Sequence, residues 1–197
     1  MLEVELKSVV ADIRSAREAI ERAGGMLEFE GSLIDLRYGD RTGFLVTSDH
    51  VLRLRVYESG TKREGHLDWK GPTTYEGGYK VREELSTTVG DPGSLSIILE
   101  NLGYVVIREI ERRIAQYSLN GAVVRLEEYP RMDPLVEVEG SPEAIELAIA
   151  SIGLPRSGFT SARLPDFVAE FEVRTGQRAA LSARELSGDY GYRVNDA

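Results

Sequence analysis

Six short segments of this chain alternate between apolar and charged residues, and no other feature constrains the fold as strongly. Side chains two positions apart point to the same face of a β-strand, so each segment has one apolar face and one ionic face. The ionic rows are Glu3/Glu5/Lys7, Arg53/Arg55, His66/Asp68/Lys70, Lys80/Arg82/Glu84, Arg125/Glu127 and Glu137/Glu139. The sequence therefore predicts a sheet that packs one face against a hydrophobic core and carries charges on the other.

Helix and turn signals separate these segments. Helices are predicted at residues 10–23, 91–102, 141–152 and 165–173, two of them starting at an Asp-Pro or Ser-Pro pair that suits a capped first turn. Further strands are predicted at 26–38, 43–46 and 104–119, a polar loop at 59–65, and a hairpin at Asn120-Gly121. Many short strands with a few helices between them indicate an antiparallel α+β fold.

Two interpretations of the ionic face compete. A solvated outer face with cross-strand ion pairs is the ordinary one for a single strand. Over six strands it fits less well, because neighbouring like charges such as Arg53 and Arg55 repel, and surface ion pairs contribute only about 0–1 kcal/mol each. If the sheet closes into a barrel, the charges line a tunnel and the sheet has no edges. We therefore predict a closed antiparallel β-barrel with helices over its apolar outer face.

Composition limits the functional classes. The formal net charge of −9 argues against broad nucleic-acid binding, and the absence of cysteine excludes disulfides and thiolate metal sites. No apolar stretch is long enough for a membrane span and no signal peptide is visible, so we expect a cytoplasmic protein. We expect one domain at residues 1–175, followed by a loosely held C-terminal extension at 176–197.

A tunnel lined by both signs of charge requires ligands of both signs. Arginine forks match phosphate oxygens, and hard carboxylate oxygens suit Mg²⁺ or Mn²⁺. The two Glu-x-Glu pairs, Glu3/Glu5 and Glu137/Glu139, each place two carboxylates about 7 Å apart on one strand face. A polyphosphate with bound Mg²⁺ or Mn²⁺ meets both requirements.

The same segments resemble, in chain order, the motifs of the CYTH superfamily, the triphosphate tunnel metalloenzymes. The resemblance covers residues 2–140 and includes the family's N-terminal Glu-x-Glu-x-Lys hallmark. The matching segments are Glu3-Val4-Glu5-Leu6-Lys7, Asp35 to Tyr38, Leu52-Arg53-Leu54-Arg55, Trp69-Lys70-Gly71-Pro72, Arg82-x-Glu84, Leu126-Glu127 and Val136-Glu137-Val138-Glu139. This resemblance implies an eight-stranded barrel and a metal-dependent reaction on a triphosphate.

The resemblance also implies a role for individual residues. Glu3, Glu5 and Lys7 would form the catalytic core. The triphosphate would be bound by Lys7, Arg53, Arg55, Lys70, Arg82, Arg112 and Arg113. One or two metal ions would be held by Glu3, Glu5, Glu127, Glu137 and Glu139, with Glu84 and Arg125 in support.

Three positions depart from the family pattern. Arg37 stands where an aromatic residue is usual, Ile114 where a second basic residue of the long strand is usual, and Ser86 where a further glutamate is common. We expect Arg113 to take the missing basic role through a bulge, and we interpret Arg163 and His66 as surface residues.

The reaction itself stays open at this point. Overall order and size resemble the class IV adenylate cyclases most, which convert ATP to cyclic AMP and pyrophosphate. Inorganic triphosphatase (tripolyphosphate) and thiamine triphosphatase are the alternatives, and so is a non-catalytic binder of nucleotides or polyphosphate. We expect no nucleic-acid or membrane partner, and exposed apolar residues are compatible with a homodimer.

Overall fold

The computed structural model describes residues 2–192, except for the side chain of Leu2. Its strands are β1 (Leu2–Val9), β2 (Met26–Gly39), β3 (Val51–Ser59), β4 (Lys62–Lys70), β5 (Thr74–Glu76), β6 (Tyr79–Val89), β7 (Val105–Leu119), β8 (Ala122–Glu128) and β9 (Leu135–Glu139). Its helices are α1 (Ile13–Arg22), α2 (Phe44–Thr47), α3 (Pro92–Asn101), α4 (Pro142–Ile152), α5 (Leu164–Thr175) and α6 (Ala183–Leu186). A 3₁₀ turn spans Arg156–Gly158.

Eight of the strands close into an antiparallel barrel, as predicted. Their order is β1-β9-β8-β7-β2-β3-β4-β6, and β6 pairs back with β1 to complete the ring. The short strand β5 pairs only with the start of β6. Closure leaves no open edge in the main ring, and it sends one face of every strand into a common interior.

Helices cover the apolar outer face of the barrel on two sides. Helices α1 and α4 bury Ile20 and Ile149 against Leu6, Val124 and Val138 of the barrel wall. On another side, Leu99 of α3 packs with Tyr38, Leu54 and Val56. The apolar rows of the sequence therefore lie outside the barrel and under helices, and the ionic rows must lie inside.

A third apolar cluster covers one end of the barrel. Ile110 and Leu135 share the inward phase of their strands, and they pack against Phe167 and Phe171 of α5. This packing places a helix across that end of the barrel interior.

The C-terminal segment is part of this third cluster, contrary to our expectation that residues 176–197 are loosely held. Ala180 and Leu181 are 0% and 1% exposed, and Ala180 exchanges backbone hydrogen bonds with Arg131. The backbone N–H of Glu111 on β7 donates to Leu181 O at 2.6 Å. Residues 193–197 lie outside the described part.

Three local predictions were wrong. The strand expected at residues 43–46 is instead the N-cap Gly43 and the start of helix α2, because the left-handed Gly43 and the Asp40 carboxylate begin a helical turn there. The expected loop at 59–65 is a tight turn, with β4 starting already at Lys62. The first helix starts at Ile13, where Asp12 caps it.

Among the described residues, no helix is long and apolar enough to cross a membrane.

Candidate active site

The barrel encloses a cavity of about 1040 Å³, which we call the tunnel. All six ionic rows predicted from the sequence contribute side chains to its lining. Those side chains are Glu3, Glu5, Lys7, Arg53, Arg55, His66, Lys70, Lys80, Arg82, Glu84, Arg125, Glu127, Glu137 and Glu139. The prediction that the ionic faces converge on one enclosed space is confirmed, and the solvated outer sheet is excluded.

The lining of the tunnel is richer in basic groups than the chain as a whole. Eleven lysines and arginines line it against nine glutamates, although the chain carries a formal net charge of −9. The buried Asp35 and Asp68, which contact Arg53, offset two of these cations. Basic groups gathered in one cavity of an acidic protein favour anionic ligands there.

The two signs of charge lie on opposite walls. Strands β1 and β9 carry Glu3, Glu5, Glu137 and Glu139, with Lys7 among them. Strand β2 is four strands from β1 in either direction round the ring. It and its neighbours β3 and β7 carry the lining arginines Arg37, Arg53, Arg55 and Arg112. A ligand in the tunnel therefore meets a carboxylate wall on one side and a guanidinium wall on the other.

Lys7 organises the carboxylate wall. Its Nζ lies 2.8 Å from Glu5 Oε2 and 2.7 Å from Glu137 Oε2, and Arg125 Nη1 donates to Glu137 Oε1 at 2.9 Å. Burial alone would raise the pKa of Glu137, but Lys7, helped by Arg125, outweighs it and lowers that pKa to about 2. Burial works against Lys7 too, and the carboxylates of Glu137 and Glu5 nevertheless raise its pKa.

Glu139 differs from its neighbours on this wall. It is directly opposite Glu5 on the adjacent strand, and within the described part of the chain its carboxylate makes no hydrogen bond or ion pair. Burial, followed by the charges of Glu137 and Glu3, raises its pKa to about 7. This end of the wall has more negative charge than its cations neutralise.

Arg53 is fixed in the opposite wall by three carboxylates. It contacts Asp35 at 3.2 Å, Asp68 at 3.0 Å and Glu84 at 3.3 Å. Burial lowers the pKa of Arg53, but these carboxylates raise it well above its usual value. Arg53 is therefore charged and held in one orientation.

The remaining predicted cations bridge the walls or reach the end covered by α5. Lys70 Nζ bonds Glu3 and lies 3.3 Å from Glu84. Arg82 Nε donates to the carbonyl of Gly71 at 2.7 Å. Arg112 Nε lies 2.9 Å from Glu127, whose other oxygen accepts a hydrogen bond from Tyr129.

Of the residues predicted for the site, only Arg113 lies outside it. Arg113 is exposed, and the register of β7 runs without a break from Arg112 to Ile114, so Arg113 points away from the tunnel. The bulges of this ladder lie elsewhere, near Glu28 and Ile107. The expectation that a bulge turns Arg113 inward was wrong, because side chains alternate where the register is continuous.

Sequence reasoning left several site residues out of the predicted set. Lys80 bonds Glu5, and Arg37, Gln116, Tyr129 and Arg163 also line the tunnel. Lys80 is in the phase of Arg82, so the alternation was sufficient to find it. Arg163 is exposed, as expected for a surface residue, and it also contributes to the tunnel lining. His66, which we expected at the surface, is partly buried in the lining, where its Nε2 lies 2.7 Å from Glu64. Arg163 comes from the start of α5, and strand phase carries no information about it.

Aromatic residues lie along one stretch of the lining. Tyr57 follows Arg53 and Arg55 in the inward phase of β3, and its ring meets Phe29 edge to face at a centroid distance of 5.5 Å. The ring of His66 also meets Tyr57 edge to face, at a centroid distance of 5.5 Å. A tunnel with both charged walls and an aromatic stretch can hold a ligand that is part anion and part ring.

Comparison with solved structures agrees with this geometry. A protein from Vibrio parahaemolyticus named as a candidate adenylate cyclase superposes with a TM-score of 0.72 at 18% identity, covering 86% of this chain and 98% of its own. The PH1819 protein of Pyrococcus horikoshii gives 0.71 at 20%, covering 85% and 98%. A candidate adenylyl cyclase from Hippeastrum, described as having a dominant triphosphatase activity, gives 0.59 at 18%, covering 92% and 98%.

No family model matches the chain, and no curated protein matches it. The barrel and its ionic interior define a tunnel protein of the α+β class. The chain shares the fold of these solved structures, and its closed eight-stranded antiparallel barrel is the one that the sequence predicted.

Proposed function

We propose that this protein is a metal-dependent enzyme that binds a triphosphate in the tunnel and transfers or cleaves one of its phosphoryl groups. The observation that carries this proposal is the enclosed guanidinium wall of a chain that is acidic overall. Fixed arginines bind phosphate oxygens without reorganisation and neutralise the charge that develops as a phosphate bond breaks. Arg53, held by three carboxylates, is the clearest example of such a preorganised group.

The residues of the carboxylate wall fit a divalent cation such as Mg²⁺ or Mn²⁺. Glu3, Glu5 and Glu139 supply hard oxygen donors, and Glu139 is an unpaired carboxylate beside them. In the described part of the chain, no three acidic or histidine side chains are assembled at ligand distance, because Lys70 and Lys80 hold Glu3 and Glu5. We infer that these two lysines exchange their carboxylates for phosphate oxygens when a metal-triphosphate enters.

A bound divalent cation would lower the pKa of a nucleophilic hydroxyl or water and neutralise phosphate charge. The residues of this chain would contribute by holding the phosphates in a fixed orientation and by excluding water. The guanidinium wall would orient the phosphates, Lys7 would stay between Glu5 and Glu137, and α5 would keep water out of one end of the tunnel.

Adenylate cyclase is the first candidate reaction. In it the ribose 3′-oxygen attacks the α-phosphorus of ATP, the bond from that phosphorus to the bridging oxygen breaks, and pyrophosphate leaves. The aromatic stretch of Phe29 and Tyr57 supports an organic triphosphate, because a base can stack on such rings.

Triphosphate hydrolysis is the second candidate, and the Hippeastrum neighbour supports it. Here water attacks the terminal phosphorus and orthophosphate leaves, from tripolyphosphate, thiamine triphosphate or ATP. The same walls serve both reactions, since only the nucleophile and the attacked phosphorus differ.

The decisive measurement is a product assay of the purified protein with Mg²⁺ or Mn²⁺ and ATP, tripolyphosphate or thiamine triphosphate. Cyclic AMP with pyrophosphate identifies the cyclase, and orthophosphate identifies the triphosphatase.

Glu139→Gln should lower turnover on the order of a hundredfold. It should leave the melting temperature unchanged or raised, because it removes a charge from a repulsive cluster.

The matched control is Glu170→Gln, an exposed glutamate on α5 that lies outside the tunnel lining. It should turn over at the wild-type rate. Binding of tripolyphosphate without any product would reduce the proposal to a non-catalytic binder, and absence of both would refute it.

A further inference from the structure

Arg37 borders the tunnel without a close counter-ion among the described residues. Its nearest carboxylate oxygen is Asp35 Oδ1, which lies 4.0 Å from Arg37 Nε, while the other oxygen of Asp35 binds Arg53 at 3.2 Å. Arg37 Nε is buried and makes no hydrogen bond in the described part of the chain. A buried guanidinium N–H that has no acceptor in the protein is available to donate a hydrogen bond to a ligand.

Arg108 is the direct cross-strand partner of Arg37. The ladder between β2 and β7 pairs Arg37 with Arg108 and then Tyr38 with Val106, so Ile107 is bulged out of register. The register is continuous from Arg108 to Arg112, so alternation puts both residues on the inward face of β7, with Arg108 beside the lining residue Arg37 and outside the lining itself. Arg108 Nε is also buried, and no hydrogen bond to it exists within residues 2–192. Like charges directly opposite each other on two strands destabilise the pair.

The surroundings of this pair are cationic as well. Burial lowers the pKa of Arg37, Asp35 opposes that shift, and the charges of Arg53, Arg112 and Arg108 lower the pKa further. Asp35 is buried and is shared with Arg53, and Glu127 is taken by Arg112. Asp35 therefore serves both Arg37 and Arg53 and offsets only part of their positive charge at this place.

We propose that Arg37 and Arg108 form an anion subsite for the terminal phosphate of the triphosphate, which rests on the proposed function. The terminal phosphate is the best match because it carries about −1.5 to −2 charge near pH 7 and three free oxygens. An inner phosphate of the chain carries less charge and fewer free oxygens. The ligand then lies with its terminal phosphate at the β2–β7 wall, which gives the tunnel a direction.

Two substitutions on the same strand pair test this subsite. Arg37→Gln removes one of two facing like charges, so in phosphate-free buffer its melting temperature should equal or exceed that of the wild type. Its affinity for Mg²⁺-tripolyphosphate should fall about tenfold or more, because charge-assisted hydrogen bonds are lost. Arg113→Gln, the same change on the exposed face of β7, should alter neither quantity.

Arg108→Gln gives a second, independent test if Arg37→Gln fails to fold. Its melting temperature should again equal or exceed that of the wild type, and its affinity for Mg²⁺-tripolyphosphate should again fall. A ligand whose two ends are both esterified, P1,P3-diadenosine triphosphate, has no terminal phosphate. Its dissociation constant should change less than threefold in Arg37→Gln.

Three results decide the matter. A lower melting temperature in phosphate-free buffer with an unchanged tripolyphosphate dissociation constant would show a structural ion pair with Asp35 and overturn the subsite. If Arg37→Gln loses the same affinity for tripolyphosphate and for P1,P3-diadenosine triphosphate, the assignment to the terminal phosphate is overturned. A wild type that tripolyphosphate fails to bind would instead refute the proposed function.

Discussion

Two buried aspartates that do not line the tunnel hold the arginines of the guanidinium wall in place. Asp35 and Asp68 are both 0% exposed, and both bind Arg53 from behind. In the sequence, Asp68 shares an ionic row with Lys70, two positions along the same strand, and that row suggests Lys70 as its ion-pair partner. The structure pairs it with Arg53 and Arg55 instead, because Asp68 and Arg53 are opposite each other on adjacent strands. Cross-strand neighbours are closer than same-face neighbours along one strand.

Asp35→Asn should destabilise the protein on the order of 3 kcal/mol at pH 7, because it leaves the buried Arg53 partly uncompensated. Burial raises the pKa of Asp35, but Arg53 and Arg37 outweigh it and hold the folded-state pKa below the usual value. The contribution of Asp35 is therefore complete above the unfolded pKa of about 3.9 and is lost as the pH falls below it. Urea unfolding at several pH values should show that the difference in the free energy of unfolding between wild type and variant becomes smaller below about pH 4.

Glu83→Gln is the control, since Glu83 is exposed on β6, and its effect should stay within about 0.5 kcal/mol at any pH. A gap between wild type and Asp35→Asn that widened toward acid would contradict this assignment.

At the scale of elements, bulges and turns set which side chains face the tunnel. The bulge at Ile107 shifts the register of Val105 and Val106 relative to Arg108, while the unbroken register through Arg113 keeps that residue outside. The Asn120-Gly121 hairpin fixes the register between β7 and β8, and with it the position of Arg125 and Glu127. Its two residues have φ values of 53° and 81°, as the predicted two-residue turn requires.

Gly121→Ala should cost about 1–2 kcal/mol, because an alanine is strained at φ 81°. Space is not the cause, since a Cβ there would meet only Ala144 Cβ at 3.9 Å. Gly90→Ala is the matched control: it has no left-handed φ and open space around its Cβ position, so we expect little change. Equal urea midpoints for the two variants would show that the turn is not under backbone constraint.

At the scale of the whole molecule, the barrel core is completed by chain that follows it in sequence. Helix α5 and the segment containing Leu181 bury Ile110 and Leu135 at one end of the tunnel. Exposed apolar side chains remain on α3, where Ile97, Ile98 and Leu102 are 60%, 52% and 70% exposed. The homodimer that such residues are compatible with stays a prediction.

Leu181→Ala should lower the free energy of unfolding by about 2–5 kcal/mol, because Leu181 is 1% exposed in this cluster. Leu186→Ala, five residues later and 47% exposed, should have a much smaller effect. Thermal and urea unfolding of the two variants measure the difference. Similar losses, both below about 0.5 kcal/mol, would mean that the segment does not belong to the folded core.

The sequence alone predicted the strands that line the tunnel, the phase of their charged residues and the closure of the sheet. Alternation is a local property, so Glu3, Lys7, Arg53, Lys70 and Glu137 could be assigned to one interior without any coordinates. Capping pairs and the Asn-Gly turn fixed α3, α4 and the β7–β8 hairpin for the same reason.

Which charges pair and which remain unpaired depends on the tertiary fold. Cross-strand register brings Asp68 to Arg53 and Arg37 to Arg108, and alternation along one strand does not specify that register. Arg163 and the buried segment at Leu181 reach the barrel from distant parts of the chain. Hydrophobic periodicity specifies the face of a residue but contains no information on its partner across the barrel, because that distance is set by the packing of the whole fold.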